Sequence, residues 1–197
     1  MIGKFQAYNV VAAASICIGL GIDPNLILKS ISYLKPARGR MEMISTTHNN
    51  SIIVIDYAHT PEALSYVLNS IREIAKGKII TLFGCGGDRD KEKRKTMGKI
   101  ANKFSDLIIV TDDNPRSESP SSIRKDILAG CSKAEEVSDR NKAINYAISK
   151  LQKNDFLLIA GKGHETFQTI GMETLPFDDY TVAKESIRNL RKVREIH

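Results

Sequence analysis

The chain has 197 residues and a net charge of +6, with 42% hydrophobic and 26% charged residues, which fits one sizeable globular domain plus a small piece of another. No apolar run approaches the roughly 20 residues that span a bilayer, and Met1-Ile2-Gly3-Lys4-Phe5 lacks a signal-peptide pattern. No basic stripe is interleaved with aromatics, so nucleic acid is not an expected partner. The positive balance reads as a Lys-rich surface, or as attraction for anionic ligands such as nucleotides. Cys17, Cys85 and Cys131 are far apart and form no Cys-x-x-Cys. Free thiols in a cytoplasmic protein are expected, with neither a disulfide framework nor a zinc site.

Residues 5–20 are apolar at helical spacing and end before Gly21, a plausible cap. Asp23-Pro24 then starts a second helix to about Leu34. This pair has no strands of its own and cannot bury its apolar faces alone. Residues 1–35 are therefore expected to be the end of a preceding domain, with 36–40 a linker and 41–197 a domain of another kind. Dimerisation through the exposed helices at 5–34 is a further expectation.

From Met41 the period changes. Met41–Ser45 and Ser51–Ile55 read as strands around the turn Thr46–Asn50. Thr60-Pro61 starts a helix to about Ala75. Strands follow at Lys78–Phe83, Leu107–Thr111 and Phe156–Ala160, with a short strand or connection at Glu135–Ser138. Helices are expected at Lys91–Phe104, Ser121–Ala129 and Asp139–Leu151. A hairpin turns at Gly171, and Asp178 or Asp179 caps a final helix to about Val193. The alternation predicts an α/β fold, doubly wound, with a mostly parallel sheet and helices on both faces.

Four polar clusters each follow a predicted buried strand: DYAHTP (56–61), GCGGDRD (84–90), DDNPR (112–116) and GKGHE (161–165). Ligands of open α/β sheets bind outside the carboxyl ends of the strands, so the four loops should converge on one crevice. Each cluster alone has a plainer reading. Asp-Asn-Pro is a common turn, GCGG lacks the third glycine of a dinucleotide fingerprint, and GKGHE is not a Walker A loop. His59 and His164 lack metal-ligand spacing, Asp56 could cap the next helix, and Lys91–Lys95 reads as a solvated helix face. Together they place the guanidinium forks of Arg89 and Arg116 beside the acceptors Asp112, Asp113 and Glu165. Asn114 can donate or accept, and Gly161 and Gly163 allow close approach. Both charge signs in one crevice suit a zwitterion such as an amino acid.

DYAHTPEAL, FGCGGDRDKEKR, TDDNPRSE and AGKGHE, in this order, resemble the C-terminal half of the Mur ligase family, in particular its diaminopimelate-adding members. GKFQAYNVVAA resembles the end of that family's central ATP-binding domain, and ARGRMEMI its junction with the C-terminal domain. The pattern differs at Gln6 and Ala37. The resemblance implies a Rossmann-like C-terminal domain of an ATP-dependent ligase. Such an enzyme joins meso-diaminopimelate to a UDP-MurNAc-dipeptide through an acyl phosphate, in peptidoglycan precursor synthesis. By the same carry-over Arg89, Asp113, Asn114, Pro115, Arg116, Gly161 and Glu165 would contact diaminopimelate, with Arg116 holding the carboxylate that lysine lacks. Asn9, Arg40, Asp56, Tyr57 and His59 would line ATP. The phosphate-binding loop, the acids for Mg2+ and the UDP-binding domain are not in these residues, which carry no metal ligands or catalytic group by this reading. The chain alone is expected to be inactive. A lysine-adding or folylpolyglutamate-type ligase, or a non-catalytic amino-acid-binding module, are the alternatives.

Overall fold

The computed structural model describes residues 4–45 and 49–195, so part of the expected turn at Thr46–Asn50 lies outside the described residues. In chain order the elements are α1 (Lys4–Gly19), α2 (Pro24–Ile31), β1 (Glu42–Ser45), β2 (Ile52–Asp56), α3 (Pro61–Arg72), β3 (Ile79–Phe83), α4 (Glu92–Phe104), β4 (Leu107–Val110), α5 (Pro120–Leu128), β5 (Glu135–Glu136), α6 (Arg140–Ser149), β6 (Phe156–Ala160), β7 (Phe167–Ile170), β8 (Glu173–Pro176) and α7 (Asp179–Glu195).

Side-chain caps set four of the helix starts. Asp23 accepts from the Asn25 N–H at 2.9 Å, Thr60 from Ala63 at 3.2 Å and Asp139 from Lys142 at 2.8 Å, each satisfying a helix-end donor. Asp178, not Asp179, caps α7: it accepts from the Thr181 N–H at 3.3 Å. Helix α2 stops at Ile31, short of the expected Leu34. There the bonds loosen to a turn, Leu34 N–H to Ile31 O at 3.2 Å, because Pro36 keeps the residue before it out of the helical region.

Six strands form one sheet in the order β1-β2-β6-β3-β4-β5. Only β1 runs antiparallel to its neighbour; the others pair in parallel. Strand β6, last of the six in sequence, lies in the middle between β2 and β3. All five of its residues are buried, as expected for a parallel strand covered on both faces. Alternate side chains divide the core. Val54, Phe83, Val110 and Leu158 meet Leu64 and Leu68 of α3, Met97 of α4 and Ile127 of α5. Ile55, Leu82, Ile109 and Ile159 meet Ala143 and Ile144 of α6 and Ala183 of α7 on the other side.

This winding creates the crevice. Strand β3 continues into α4 on one face. Its neighbour β6 leads through the β7–β8 hairpin into α7 on the other. The carboxyl ends of β6 and β3 therefore part company, and loops splay around the gap.

The helix pair at the amino end is different. No residue of α2 is buried, and Tyr8, Leu20, Leu28 and Tyr33 are exposed. Val10, Ala14, Cys17, Leu26, Ile27 and Leu34 line an apolar groove of about 320 Å³ between the two helices. No helix among the described residues is long and apolar enough to cross a membrane.

The stretch expected as a linker is anchored at its far end. Gly39 is buried at φ +65°, and a Cβ there would lie 2.1 Å from the His164 backbone nitrogen. The junction thus packs directly on the loop after β6. Arg38 adds an ion pair with Asp178 at 3.0 Å, and the Gly39 N–H donates to Glu42 at 2.8 Å.

Candidate functional site

The four loops meet around a cavity of about 460 Å³ at the carboxyl ends of β2, β6, β3 and β4. The loop after β2 contributes Tyr57 and His59, and the loop after β3 contributes Gly86, Arg89 and Asp90. From the loop after β4 come Asp113, Asn114 and Arg116. Gly161 and Glu165 come from the loop after β6. Lys93, in the first turn of α4, completes the wall and donates to the His59 carbonyl at 2.8 Å.

The DNPR turn is the most constrained of these. Gly87 packs against it so closely that a Cβ would sit 1.9 Å from the Pro115 carbonyl oxygen, and the Gly87 N–H donates to the Asn114 carbonyl at 2.9 Å. The GCGG glycines therefore let two loops run back to back, with no need of a dinucleotide. Arg116 adopts φ +51°, a conformation costing a non-glycine residue about 1 kcal/mol or more. The hairpin holds it there: the Arg116 N–H donates to Thr169 at 3.1 Å, and its carbonyl accepts from Gly171 at 2.8 Å. Its Nη1 donates to the Gly87 carbonyl at 2.9 Å and weakly to Asn114 at 3.4 Å. Nε and Nη2 keep no protein partner among the described residues.

Behind the turn lies a layer of ion pairs. Arg94 is fully buried. It holds Glu118 at 2.9 Å and Asp126 at 3.0 Å, and reaches the Gly86 carbonyl at 3.3 Å. The expected solvated face of Lys91–Lys95 is therefore broken at its fourth residue, because an i+3 position on that helix turns inward. Glu118 also accepts from the Asp88 N–H at 2.7 Å. Asp88 in turn accepts from the Ser117 hydroxyl at 2.6 Å. Arg140 is likewise fully buried, bidentate to Asp179 at 2.8 Å on both bonds, and 4.0 Å from the Asp113 carboxylate. It donates to the Ala160 carbonyl at 3.1 Å, pinning the end of β6.

Several expected residues sit elsewhere. Asp112 points away from the cavity to pair with Arg124, and burial raises its carboxyl pKa despite that partner. Asp56 is buried, and its two oxygens accept from the Met41 and Ala58 N–H groups at 2.8 Å each. Burial raises its pKa too, against the lowering effect of those N–H groups. It shapes the turn and does not line the cavity. Asn9 is exposed on α1, 3.4 Å from the Gln6 side chain. Arg40, by contrast, lies 4.7 Å over the Tyr57 ring. Tyr57 also meets His59 edge-on at 4.5 Å and His164 at 5.1 Å. Pro115 is buried beneath the turn, and Arg89 is exposed with Nη1 on its neighbour's carbonyl. Cys85 is a buried thiol pushed up to about 12 by desolvation, and so no nucleophile.

A family model described as "Mur ligase, glutamate ligase domain" matches residues 39–163. The chain belongs to the Mur ligase family. It is 45% identical over 188 residues to the UDP-N-acetylmuramoyl-L-alanyl-D-glutamate–2,6-diaminopimelate ligase of Agrobacterium fabrum, covering 95% of this chain and 38% of that protein. A solved structure of a ligase of that name aligns with TM-score 0.77 at 34% identity, over 97% of this chain and 40% of the other. The UDP-N-acetylmuramate-alanine ligase of Thermotoga maritima shares the fold, with TM-score 0.69 at 17% identity, over 98% of this chain and 39% of that one. The chain thus spans about two fifths of the length of these Mur ligases.

The sequence does not single out three residues, Arg94, Arg140 and Lys162, all buried cations. Lys162 was visible only as part of a glycine-rich loop, and Arg94 and Arg140 as helix charges. Of the three, Arg94 stands in the first turn of the helix after a site loop, Lys162 lies within one, and Arg140 begins α6 after β5.

The Glu118 contacts predict an acid-sensitive site wall. Arg94, then the Asp88 N–H, hold its carboxyl near 2, below the ordinary 4.5. A depressed carboxylate stabilises the fold fully above its unfolded pKa and loses that contribution as pH falls towards the folded one. Melting temperatures of wild type and Glu118→Gln should differ at pH 6 and converge between about 4.5 and 2. A constant gap across that window would show that the ionised pair does not contribute.

Proposed function

We propose that this chain is the C-terminal portion of an ATP-dependent ligase that adds meso-diaminopimelate to UDP-MurNAc-L-Ala-D-Glu. In this reading the cavity takes the diamino dicarboxylate substrate. Arg116, helped by Arg89, holds its distal carboxylate. Asp113 and Glu165 receive the neighbouring ammonium, with Asn114 lining the cavity and holding Glu165, Gly161 permitting close approach and Pro115 shaping the turn. The observation that carries the proposal is the opposition of one guanidinium, anchored at Nη1 and open at Nε and Nη2, to two carboxylates across a single cavity. A phosphate site would have no use for those acids. The name borne by the 45% identical relative points the same way.

Arg40, Tyr57 and His59 form the wall proposed to face ATP. A cation stacked on an aromatic ring fits a ligand that carries both a purine and phosphates. ATP would supply the activated acyl group, and this wall would orient it. Asp56 serves that wall indirectly, by fixing the backbone of Met41 and Ala58, and Asn9 would reach the nucleotide only from α1. In this reading the acids that hold Mg2+ belong to the rest of the ligase; among the described residues no group of three or more His, Cys, Asp or Glu could hold a metal. Residues 1–35 are proposed to be the end of the preceding ATP-binding domain. The apolar faces of α1 and α2 would be covered there, and would drive self-association of the chain alone.

Calorimetry tests the site. The chain should bind meso-diaminopimelate and bind L-lysine at least tenfold more weakly, since an unmatched Arg116 costs on the order of one to two charged hydrogen bonds. Mixed with ATP, Mg2+ and both substrates it should form no amide product. Equal binding of the two amino acids, or product formation by the chain alone, would overturn the proposal.

A further inference from the structure

The Lys162 side chain has no exposed surface, although lysine is among the residues least often buried. It sits between two residues of the cavity wall. Nζ donates to Asn114 Oδ1 at 3.0 Å and to Glu165 Oε2 at 3.2 Å. Nζ also lies 5.8 Å from the centre of the Phe167 ring of the hairpin. A desolvated ammonium is retained only where partners repay the loss of water, and these two partners belong to the site.

The arrangement removes an ambiguity. A carboxamide can be placed either way round, and its neighbours decide which. Here Oδ1 receives two donors, Lys162 Nζ and the Thr169 N–H at 3.0 Å. Nδ2 then donates to Glu165 Oε2 at 2.9 Å. The reverse placement would set an NH2 group against an ammonium and an N–H, and oxygen against a carboxylate. Oε2 of Glu165 thus receives both Lys162 and Asn114, which fixes the carboxylate plane. Oε1 is left with no partner among the described residues. Glu165 lines the cavity, and its side chain retains 21% exposure.

We infer that Lys162 is a positioning residue for amino-acid recognition: its buried ammonium orients the Asn114 amide and the Glu165 carboxylate so that Oε1 is presented to the ligand's ammonium group. The inference rests on the proposed amino-acid site and deepens it. Lys162 itself does not line the cavity, so its effect must pass through Glu165 and Asn114.

A double-mutant cycle separates this role from a general contribution to folding. Calorimetry with meso-diaminopimelate would be run on the wild-type chain, Lys162→Met, Glu165→Gln and the double variant, with a melting curve for each. Lys162→Met should weaken binding about tenfold or more, as expected for losing a charged hydrogen bond that orients a ligand contact. In the Glu165→Gln background the same change should cost less than twofold. Should Lys162→Met fail to fold, Lys162→Gln, which keeps a donor for Asn114 Oδ1, would take its place in the cycle with the same expected pattern. Wild-type affinity in the Lys162 variant, or losses that multiply in the double variant, would overturn the inference while leaving the site reading intact. Absence of binding by the wild-type chain would overturn both.

Discussion

Arg116→Ala is expected to weaken meso-diaminopimelate binding by about 10- to 100-fold while leaving the weak affinity for L-lysine unchanged. Removing a charged donor pair from a carboxylate costs about 1.5–3 kcal/mol, because the ligand group stays desolvated without a partner. Lysine has no second carboxylate to lose, so its binding provides the internal control. Arg116→Lys should recover little. An ammonium is a point donor, and the Nη1 bond to Gly87 at 2.9 Å already uses one arm of a planar fork. Any non-glycine residue at φ +51° carries the same backbone strain, so the alanine variant adds no new cost there. An equal loss for both ligands would mean that Arg116 shapes the turn and does not read the ligand.

The second large effect concerns stability. Asp179→Ala should lower the unfolding free energy by about 3–5 kcal/mol, because it leaves Arg140 buried and uncompensated. Both side chains have no exposed surface. Arg140 also holds the Ala160 carbonyl, so the loop carrying Gly161 and Glu165 should loosen as well. Replacing the pair together, as Arg140→Met with Asp179→Leu, should recover much of the loss, since a buried ion pair adds little over well-packed apolar groups. The contrast is Arg72, whose ion pair with Asp106 leaves both partners 41% exposed and whose replacement by alanine should cost less than about 1 kcal/mol. Urea unfolding would measure all four. A loss below about 1 kcal/mol for Asp179→Ala would mean that water or a neighbour compensates Arg140 after all.

The elements were legible because their signals were local. Thr60-Pro61, Asp139 and Asp23-Pro24 announce helix starts, and the apolar runs at 79–83, 107–110 and 156–160 announce buried strands. The convergence of four loops followed from one rule about open sheets. Two kinds of information were not legible. The central place of β6 depends on which strands pair, and neighbouring residues do not encode that. The buried cations depend on which face of a helix or loop turns inward after the loops have met. Lys91–Lys95 looks uniformly solvated until Glu118 and Asp126, far along the chain, close on Arg94. Asp112 and Asp113 are adjacent and chemically alike, yet alternation of the backbone sends one to Arg124 and the other to the cavity.

The seating of Gly39 on the loop after β6 sets where the molecule can pivot. No Cβ fits at that contact, so the two backbones cannot slide past each other without dislodging Gly163 and, two residues on, Glu165. A swing of the helix pair must therefore be taken up before Arg38, in the short stretch from Ser32 to Ala37 that follows α2. Arg40 and Tyr57 would travel with the loop after β6 as one rigid jaw, and α1 and α2 would move against it.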